Sequence, residues 1–504
     1  MHKRKMFNKK IFAFVLSLAV IIPALFGTAL TVNAEEAKPV VPEIRVTTQE
    51  GNGVTLEKAD GYVSAEINIS DTEGFNLSDR VNFKVRGNTT ALSWVKKKAF
   101  TFKFEKKKDV LGMGKGKKWA LIANAFDPTL MRNYIAFNTA YELDIPFTSN
   151  QKYVELWVDN TYMGCYVLYE PVQEGKDRVD IDIESNDGKN DFLIEYEYSR
   201  EEDDVTYFLA NGLRFISSEP ETPNEEQLEY IKSTMTDITN TLNNGTQADI
   251  EEKIDISSFV KFYLLNEYVK TYDFSMSSVY YYYKDGKLYA GPPWDYDLSA
   301  GNECDGLSAR CTNAANPNGA FINSNLYRYL YNKDWFKKLV KQEYEKHYDY
   351  FKSIHSDNGL MDTIYSDYGD LFNRNYTEAG WSVSKWWINI QKKPLATYRE
   401  NYDFLKNWYS QRNVWFEDYL KPFSRDYILG DANNDGKVDI SDVTMIQKYI
   451  AKLIDESDDT FLYRAIVTGH SGISIVDATS IQRHLSKASD STEIGKDKTV
   501  ILPH

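Results

Sequence analysis

The chain has 504 residues, 42% of them hydrophobic, enough for roughly two to four domains with proper cores. Its net charge of −15 would repel a phosphate backbone, which argues against a nucleic-acid partner. Aromatics reach 14%, with 36 Tyr and 10 Trp, a content that fits large core side chains or sugar stacking.

In chain order, MHKRKMFNKK is basic, IFAFVLSLAVIIPALFGTAL is apolar, and Val32-Asn33-Ala34 ends on a small residue. This is the pattern of a secretory signal over residues 1–34. No other long apolar span follows, so a secreted, extracellular protein with no membrane contact after cleavage is expected. Residues 35–74 read as a strand-rich lead-in to a main body over 75–425. VNFKVRG (81–87) and AFTFKFE (99–105) alternate as strands do, and KKWALIANA (117–125) is an apolar run. Asp127-Pro128 predicts a helix start, with Asp as the cap, and the helix is expected to run to Leu143. YVELWVDNTYMGCYVLYE (153–170) predicts a hairpin around Asp159-Asn160.

The second half turns helical. Residues 225–244 and 256–271 predict amphipathic helices, and VYYYYK-DG-KLYAG predicts a tight hairpin turning at Asp285-Gly286. PPWDYDLSAG (292–301) follows, and from Asn325 to Pro422 the pattern is again mostly helical. A strand-rich half before a helix-rich half predicts an α+β body with a cleft between two lobes. Three cysteines occur, without metal-ligand spacing. Cys304 and Cys311 are near enough in sequence for a disulfide, which secretion permits, and Cys165 sits in an apolar strand pattern.

The end of the chain carries the sharpest motif. In GDANNDGKVDISD (430–442), Asp431, Asn433, Asp435, Asp439 and Asp442 stand at positions 1, 3, 5, 9 and 12 of a calcium loop. The Lys437 backbone falls at position 7, and Gly436 permits the sharp turn. A helix is expected over Val443–Leu453. A second copy lies 35 residues on: SDVTMIQKYIAK (441–452) aligns with VDATSIQRHLSK (476–487). Its loop reads Ile466, Thr468, His470 and Ser474, and only Asp477 keeps a carboxylate. One carboxylate does not offset the cost of stripping water from a divalent cation, so calcium is expected in the first loop alone.

Within the body, Asp273 stands in a loop after a long helix, and Asp295 and Asp297 follow the hairpin. Phosphoryl transfer uses such a set: one carboxylate takes the acceptor proton and others hold Mg²⁺. If 294–298 is extended, Asp295 and Asp297 point to the same side. Each of the three also reads as an ordinary turn or cap residue. Arg86, at the end of a strand and followed by Gly-Asn-Thr-Thr, with Lys97, Lys98 and Lys103 close by, reads as a phosphate clamp or as a solvated basic face.

RGNTT, KKKAFTFKF, LGMGKGKKWALIANAFDPTLMRN, ELWVDNTYMGCYVLYEPV and PPWDYDLSAG together resemble the spore-coat protein H (CotH) kinase family. The resemblance is good over 75–305 and looser over 305–420. It implies an atypical protein-kinase-like two-lobe fold using ATP with Mg²⁺ or Mn²⁺. Carried over, Asp273 matches the catalytic base and Asp295 the metal-binding Asp, with Asp297 beside it. One of Lys98 and Lys103 would contact ATP phosphate, and Glu170-Pro171-Val172 resembles the hinge that receives adenine. Ser278 departs from the pattern, standing where protein kinases carry a metal-binding Asn five residues after the base.

The paired loop-helix segments resemble a type I dockerin, a small all-α module over 426–490, ahead of a tail at 491–504. That resemblance implies docking onto a cohesin domain of a cellulosome scaffoldin. Together these readings predict a cellulosome-associated kinase acting on Ser or Thr of a protein not named by the sequence. Two alternatives stay open: a catalytically inactive kinase-like binding module, and a carbohydrate-active enzyme using Asp273 and Asp295 across a sugar subsite.

Overall fold

The computed structural model describes residues 38–184, 190–198, 202, 205–302, 315–382, 395–419, 424–454, 460–469, 472–488 and 493–501. The expected signal segment, the Cys304–Cys311 pair and His470 lie outside the described residues.

The first seven strands are β1 (Glu43–Thr48), β2 (Val63–Ser70), β3 (Asn76–Arg86), β4 (Ala99–Asp109), β5 (Lys115–Ile122), β6 (Gln151–Val158) and β7 (Thr161–Tyr169). They close into a barrel in the order β1-β2-β3-β4-β5-β7-β6. Closure comes from a parallel pairing of β1 with β6, Glu43 opposite Glu155, which leaves no open edge. Strand alternation fills the interior: Val81, Phe83 and Val85 from β3 meet Phe100, Phe102 and Phe104 from β4, with Trp119 and Leu121 from β5. The β6–β7 turn puts Asp159 and Asn160 at φ 46° and 66°, as a two-residue hairpin loop requires. Asp159 then ties β1 down by accepting from Thr48 N at 2.7 Å and Gly53 N at 2.6 Å.

Helix α1 spans Arg132–Glu142, shorter than expected. Asp127 is not its cap. It lies in the preceding turn, where one carboxylate oxygen accepts from Thr129 N and the other from Arg132 N at 2.8 Å.

A second, antiparallel sheet was not anticipated as a unit. It combines β8 (Phe192–Tyr196), β9 (Tyr207–Ala210), β10 (Leu213–Glu219), β11 (Val279–Lys284) and β12 (Lys287–Ala290), in the order β12-β11-β8-β10-β9. Between β10 and β11 run α2 (Glu225–Asn244), α3 (Gln247–Lys253) and α4 (Ile256–Val269). Capping boxes start α2 at Asn224/Gln227 and α3 at Thr246/Asp249. Helix α4 is apolar nearly all round and is buried on all sides, the mark of a central helix. Around it pack α5 (Asp334–Lys346), α6 (Tyr348–Ser353) and α8 (Tyr398–Tyr419), while α7 (Leu360–Thr377) lies against β7.

The body is therefore α+β, but a strand lobe followed by a helix lobe is not clearly what it forms. A closed barrel is joined to a helical region that holds its own sheet. No described helix is long and apolar enough to cross a membrane.

The C-terminal region is not purely helical. Strand β13 (Ser424–Ile428) pairs with β14 (Asp497–Ile501), bringing together the two ends of a segment that holds α9 (Ile440–Ile450), α10 (Phe461–Ala465) and α11 (Ile475–Leu485). Val443, Ile446, Phe461, Ala478 and Ile481 form its core.

Candidate functional site

Helix α4 ends at Lys270 in the left-handed conformation, and a 3-10 turn, Tyr272–Ser275, carries Asp273. Met276 N and Ser277 N both donate to the Asp273 carbonyl, at 2.7 and 2.8 Å. Asn325 Nδ2 donates to Phe274 O and pins the same turn from the far side. After β12, residues 292–300 form a loop rather than an extended strand, and Asp295 takes φ 63°. Backbone bonds Tyr272 N to Leu298 O (2.9 Å) and Ala300 N to Val269 O (2.7 Å) lace this loop to the end of α4. Asn133 Oδ1, on α1, accepts from Tyr296 N, and Asn302 Nδ2, just after the loop, donates to both Asp297 O and Phe126 O.

These ties bring three of the sequence candidates together. Burial pushes the Asp273 carboxyl well up, and the charges of Asp295 and Glu197 push it further. Burial likewise raises Asp297, with Asp295, Asp273 and Asp127 adding to the effect. Like charges held this close in a dry place are what a cation or a proton relieves. Among the described residues, no group of three or more His, Cys, Asp or Glu is arranged to hold a metal ion unaided. Magnesium is normally held by one or two carboxylates completed by substrate phosphates and water, which Asp295 and Asp297 fit.

Arg86, at the end of β3, faces this cluster. Its guanidinium lies 5.0 Å over the Trp294 ring, and its Nη1 is buried without a hydrogen-bond partner. Burial lowers its pKa, while the Asp295 charge opposes that. Register extends the same outward face: Lys84 opposite Thr101, and Lys103 opposite Lys118. Lys84 and Lys118 are both held below their ordinary values by burial and by mutual repulsion with Arg86 and Lys103.

The remaining candidates are engaged in other contacts. Lys98 Nζ donates to Glu57 Oε2 at 2.8 Å and to the carbonyls of Ala91 and Leu92, so it ties two short turns together. The Glu170 carboxylate pairs with Arg178 at 2.6 Å and accepts from Asn150 N, and the Glu170 carbonyl accepts from Ser149 Oγ. Val172 packs against a small apolar cluster with Val179 and Ile181.

Sequence reasoning missed Glu195, Glu197, Asn133, Lys84 and Lys118. Glu195 Oε1 accepts from Ser278 N, holding that residue at φ 59°, and Oε2 accepts from Tyr280 OH. The strand alternation of β3 and β5 could have put Lys84 and Lys118 on the Arg86 and Lys103 face; no local motif marks the other three.

In the loop over 431–442, Asp431 and Asp442 are 1% and 0% exposed. Asp431 accepts from Asp435 N and Gly436 N, and Asp442 from Asn433 N and Asp439 N. Burial pushes Asp442 up, with Asp431 and Asp439 adding to it. Asn433 Oδ1 and an Asp435 carboxylate oxygen accept backbone N–H groups inside the loop, and Asp439 caps α9. Two buried carboxylates given only N–H partners fit a bound calcium, with Asn433, Asp435, the Lys437 carbonyl and Asp439 completing the oxygen set. The second loop is built differently. Asp477 accepts from Val467 N, Thr468 N and Oγ1, and Ser474 N and Oγ, and these bonds hold its carboxyl below the ordinary value against the effect of burial.

Among curated proteins no match was found. Against known families, residues 429–486 match the type I dockerin domain, a module that binds calcium and cohesin domains. Residues 83–416, well over half of the chain, match the CotH kinase protein family. The chain therefore belongs to the CotH kinase protein family and carries a type I dockerin domain at its C-terminus.

Proposed function

We propose that this protein is a secreted, cellulosome-associated kinase that transfers the γ-phosphoryl group of ATP to a Ser or Thr hydroxyl of a protein. The observation that carries this reading is the crowding of Asp273, Asp295 and Asp297 opposite Arg86, whose buried Nη1 has no hydrogen-bond partner. Asp273, raised by its surroundings, orients the acceptor hydroxyl and takes its proton. Asp295 and Asp297 hold Mg²⁺ or Mn²⁺, which neutralises charge on the phosphates when bound. Arg86 and Lys103, joined by Lys84 and Lys118, draw the phosphates to the barrel face. Lys98 has no part in this, because its ammonium is already engaged by Glu57 and the carbonyls of Ala91 and Leu92. Glu170-Pro171-Val172 would receive the base. In a kinase-like two-lobe arrangement the barrel would be the nucleotide-covering half and the α4 region the catalytic half. The dockerin holds the enzyme on a scaffoldin cohesin, where other bound proteins are within reach.

The test is label transfer from γ-labelled ATP with Mg²⁺ or Mn²⁺, using Asp273→Asn and Asp295→Asn beside the parent. Label incorporated by the parent and lost in both variants supports the roles given. A non-catalytic binding module is the second reading, favoured by Ser278 at the position of a metal-binding Asn. It predicts an ATP-dependent rise in melting temperature without transfer. Neither transfer nor a thermal shift removes ATP from the account.

A further inference from the structure

A marked charge anomaly among the described residues is the β4–β5 ribbon. Between residues 103 and 118 stand seven lysines against Glu105 and Asp109, in a chain whose net charge is −15. Few of these lysines are neutralised locally, although the Glu221 charge acts on Lys118. Only Lys108 has an ion-pair partner among the described residues, Asp79 at 2.8 Å. Lys103, Lys106, Lys107, Lys115 and Lys117 are exposed, and Lys118 is half-buried. Lys103 and Lys118 stand directly opposite each other across the ladder, an arrangement that destabilises a sheet unless an anion relieves it. Lys103 and Lys118 also join Lys84 and Arg86, while Lys106, Lys107, Lys115 and Lys117 stand farther along the ribbon, past the irregular step in its pairing.

We propose that this ribbon is the docking surface for an acidic polypeptide segment, and that the segment belongs to the phosphoacceptor protein. The identity of the occupant rests on the phosphoryl-transfer reading; the existence of the surface does not. Several features favour a polypeptide over a polyphosphate. The ribbon carries lysines and no arginine, and arginine is the side chain that grips phosphate bidentately. It presents no outward aromatic for base stacking: Phe104 points into the barrel. Glu105 and Asp109, both exposed, would repel a continuous phosphate chain but leave room for spaced carboxylates. Nor does it offer apolar side chains to a bilayer, since Val110, Leu111 and Met113 at its tip are buried. Screening over about 8 Å at physiological salt lets this patch act independently of the acidic remainder of the surface.

The experiment is fluorescence anisotropy with a labelled glutamate-rich peptide and the full chain, without nucleotide, over a range of salt. One variant reverses the four outer lysines (K106E, K107E, K115E, K117E), and a second carries glutamine at all four. The parent is expected to bind, with affinity falling as salt rises. The glutamine variant should bind several-fold more weakly, and the reversal roughly tenfold or more, as expected for the loss of several exposed pairs. Unchanged melting temperatures show that both variants remain folded. No binding by the parent, or equal binding by the reversal variant, overturns the proposal. Tighter binding of duplex DNA or of phosphatidylserine vesicles than of the peptide, lost in the same variant, overturns the choice of a polypeptide. Peptide binding without label transfer would sink the kinase reading and leave the docking surface standing.

Discussion

The two halves of the dockerin make opposite predictions about calcium, and the contrast can be worked from hydrogen bonds. In the first loop, Asp431 and Asp442 are buried and accept two backbone N–H groups each. In the second, Ile466 replaces the first ligand, and Asp477 accepts five donors, two of them the hydroxyls of Thr468 and Ser474. Hydroxyls have taken the place that a cation would occupy. Titrating chelator-stripped protein with calcium should therefore give one equivalent in calorimetry. At a hundredfold excess over its dissociation constant, calcium should stabilise the module by about 2.7 kcal/mol. Asp435 is exposed and accepts only from Lys437 N and Asn433 Nδ2, so Asp435→Asn should abolish the heat with little loss of apo stability. Asp477→Asn should do the reverse. It weakens a charge-assisted network, costing about 1.5–3 kcal/mol, and leaves the stoichiometry unchanged. Two equivalents in the parent, or a calcium response lost in Asp477→Asn at unchanged melting temperature, would refute the assignment.

Two further predictions concern the body. Lys97 is 3% exposed, donates to Cys165 O and Asn375 Oδ1, and is pulled by burial from 10.5 to about 7. The unfolded chain then binds the extra proton, so stability should rise with pH between about 7 and 10.5, by up to about 5 kcal/mol in total. Lys97→Met should flatten that rise in urea melts, and an unchanged slope would dismiss Lys97 as its source. Glu267 and Arg412 are both fully buried, and Glu267 also accepts from Phe321 N and Ile322 N. Arg412→Met leaves a buried carboxylate without its cation and should cost about 3–5 kcal/mol, read as a lowered melting temperature; a loss under about 1 kcal/mol would show that the backbone N–H groups suffice.

Much of the fold was legible where the cause of an element is local. Asn224 with Gln227 fixes the start of α2, Asp285-Gly286 the β11–β12 turn, and Asp159-Asn160 the β6–β7 turn. Barrel closure was not, because β1 meets β6 more than a hundred residues away and no local pattern encodes that pairing. Strand β8, FLIEY, is buried at all five positions, so it lacks the alternation by which a half-exposed strand declares itself. The ambiguity between Lys98 and Lys103 has the same origin. Phe100, Phe102 and Phe104 set the phase of β4 and put Lys103 outward, but Lys98 precedes the strand, where that phase does not reach.

The candidate site was half legible for a further reason. Asp273, Asp295 and Asp297 could be named because carboxylates have a recognisable chemistry, but what brings them together is irregular backbone. Asp295 and Ser278 border one crevice with Asp273, and both hold left-handed conformations, at φ 63° and 59°, without being glycine. Such conformations cost free energy and persist only where surrounding contacts impose them. For Ser278 one such contact is Glu195, reached through the second sheet; for the 292–300 loop one is Asn133, on α1. Those contacts come from segments far apart in the chain, so periodicity cannot announce them. The residues that shape the site are therefore the ones a sequence reading passes over, while the residues that would react are the ones it finds.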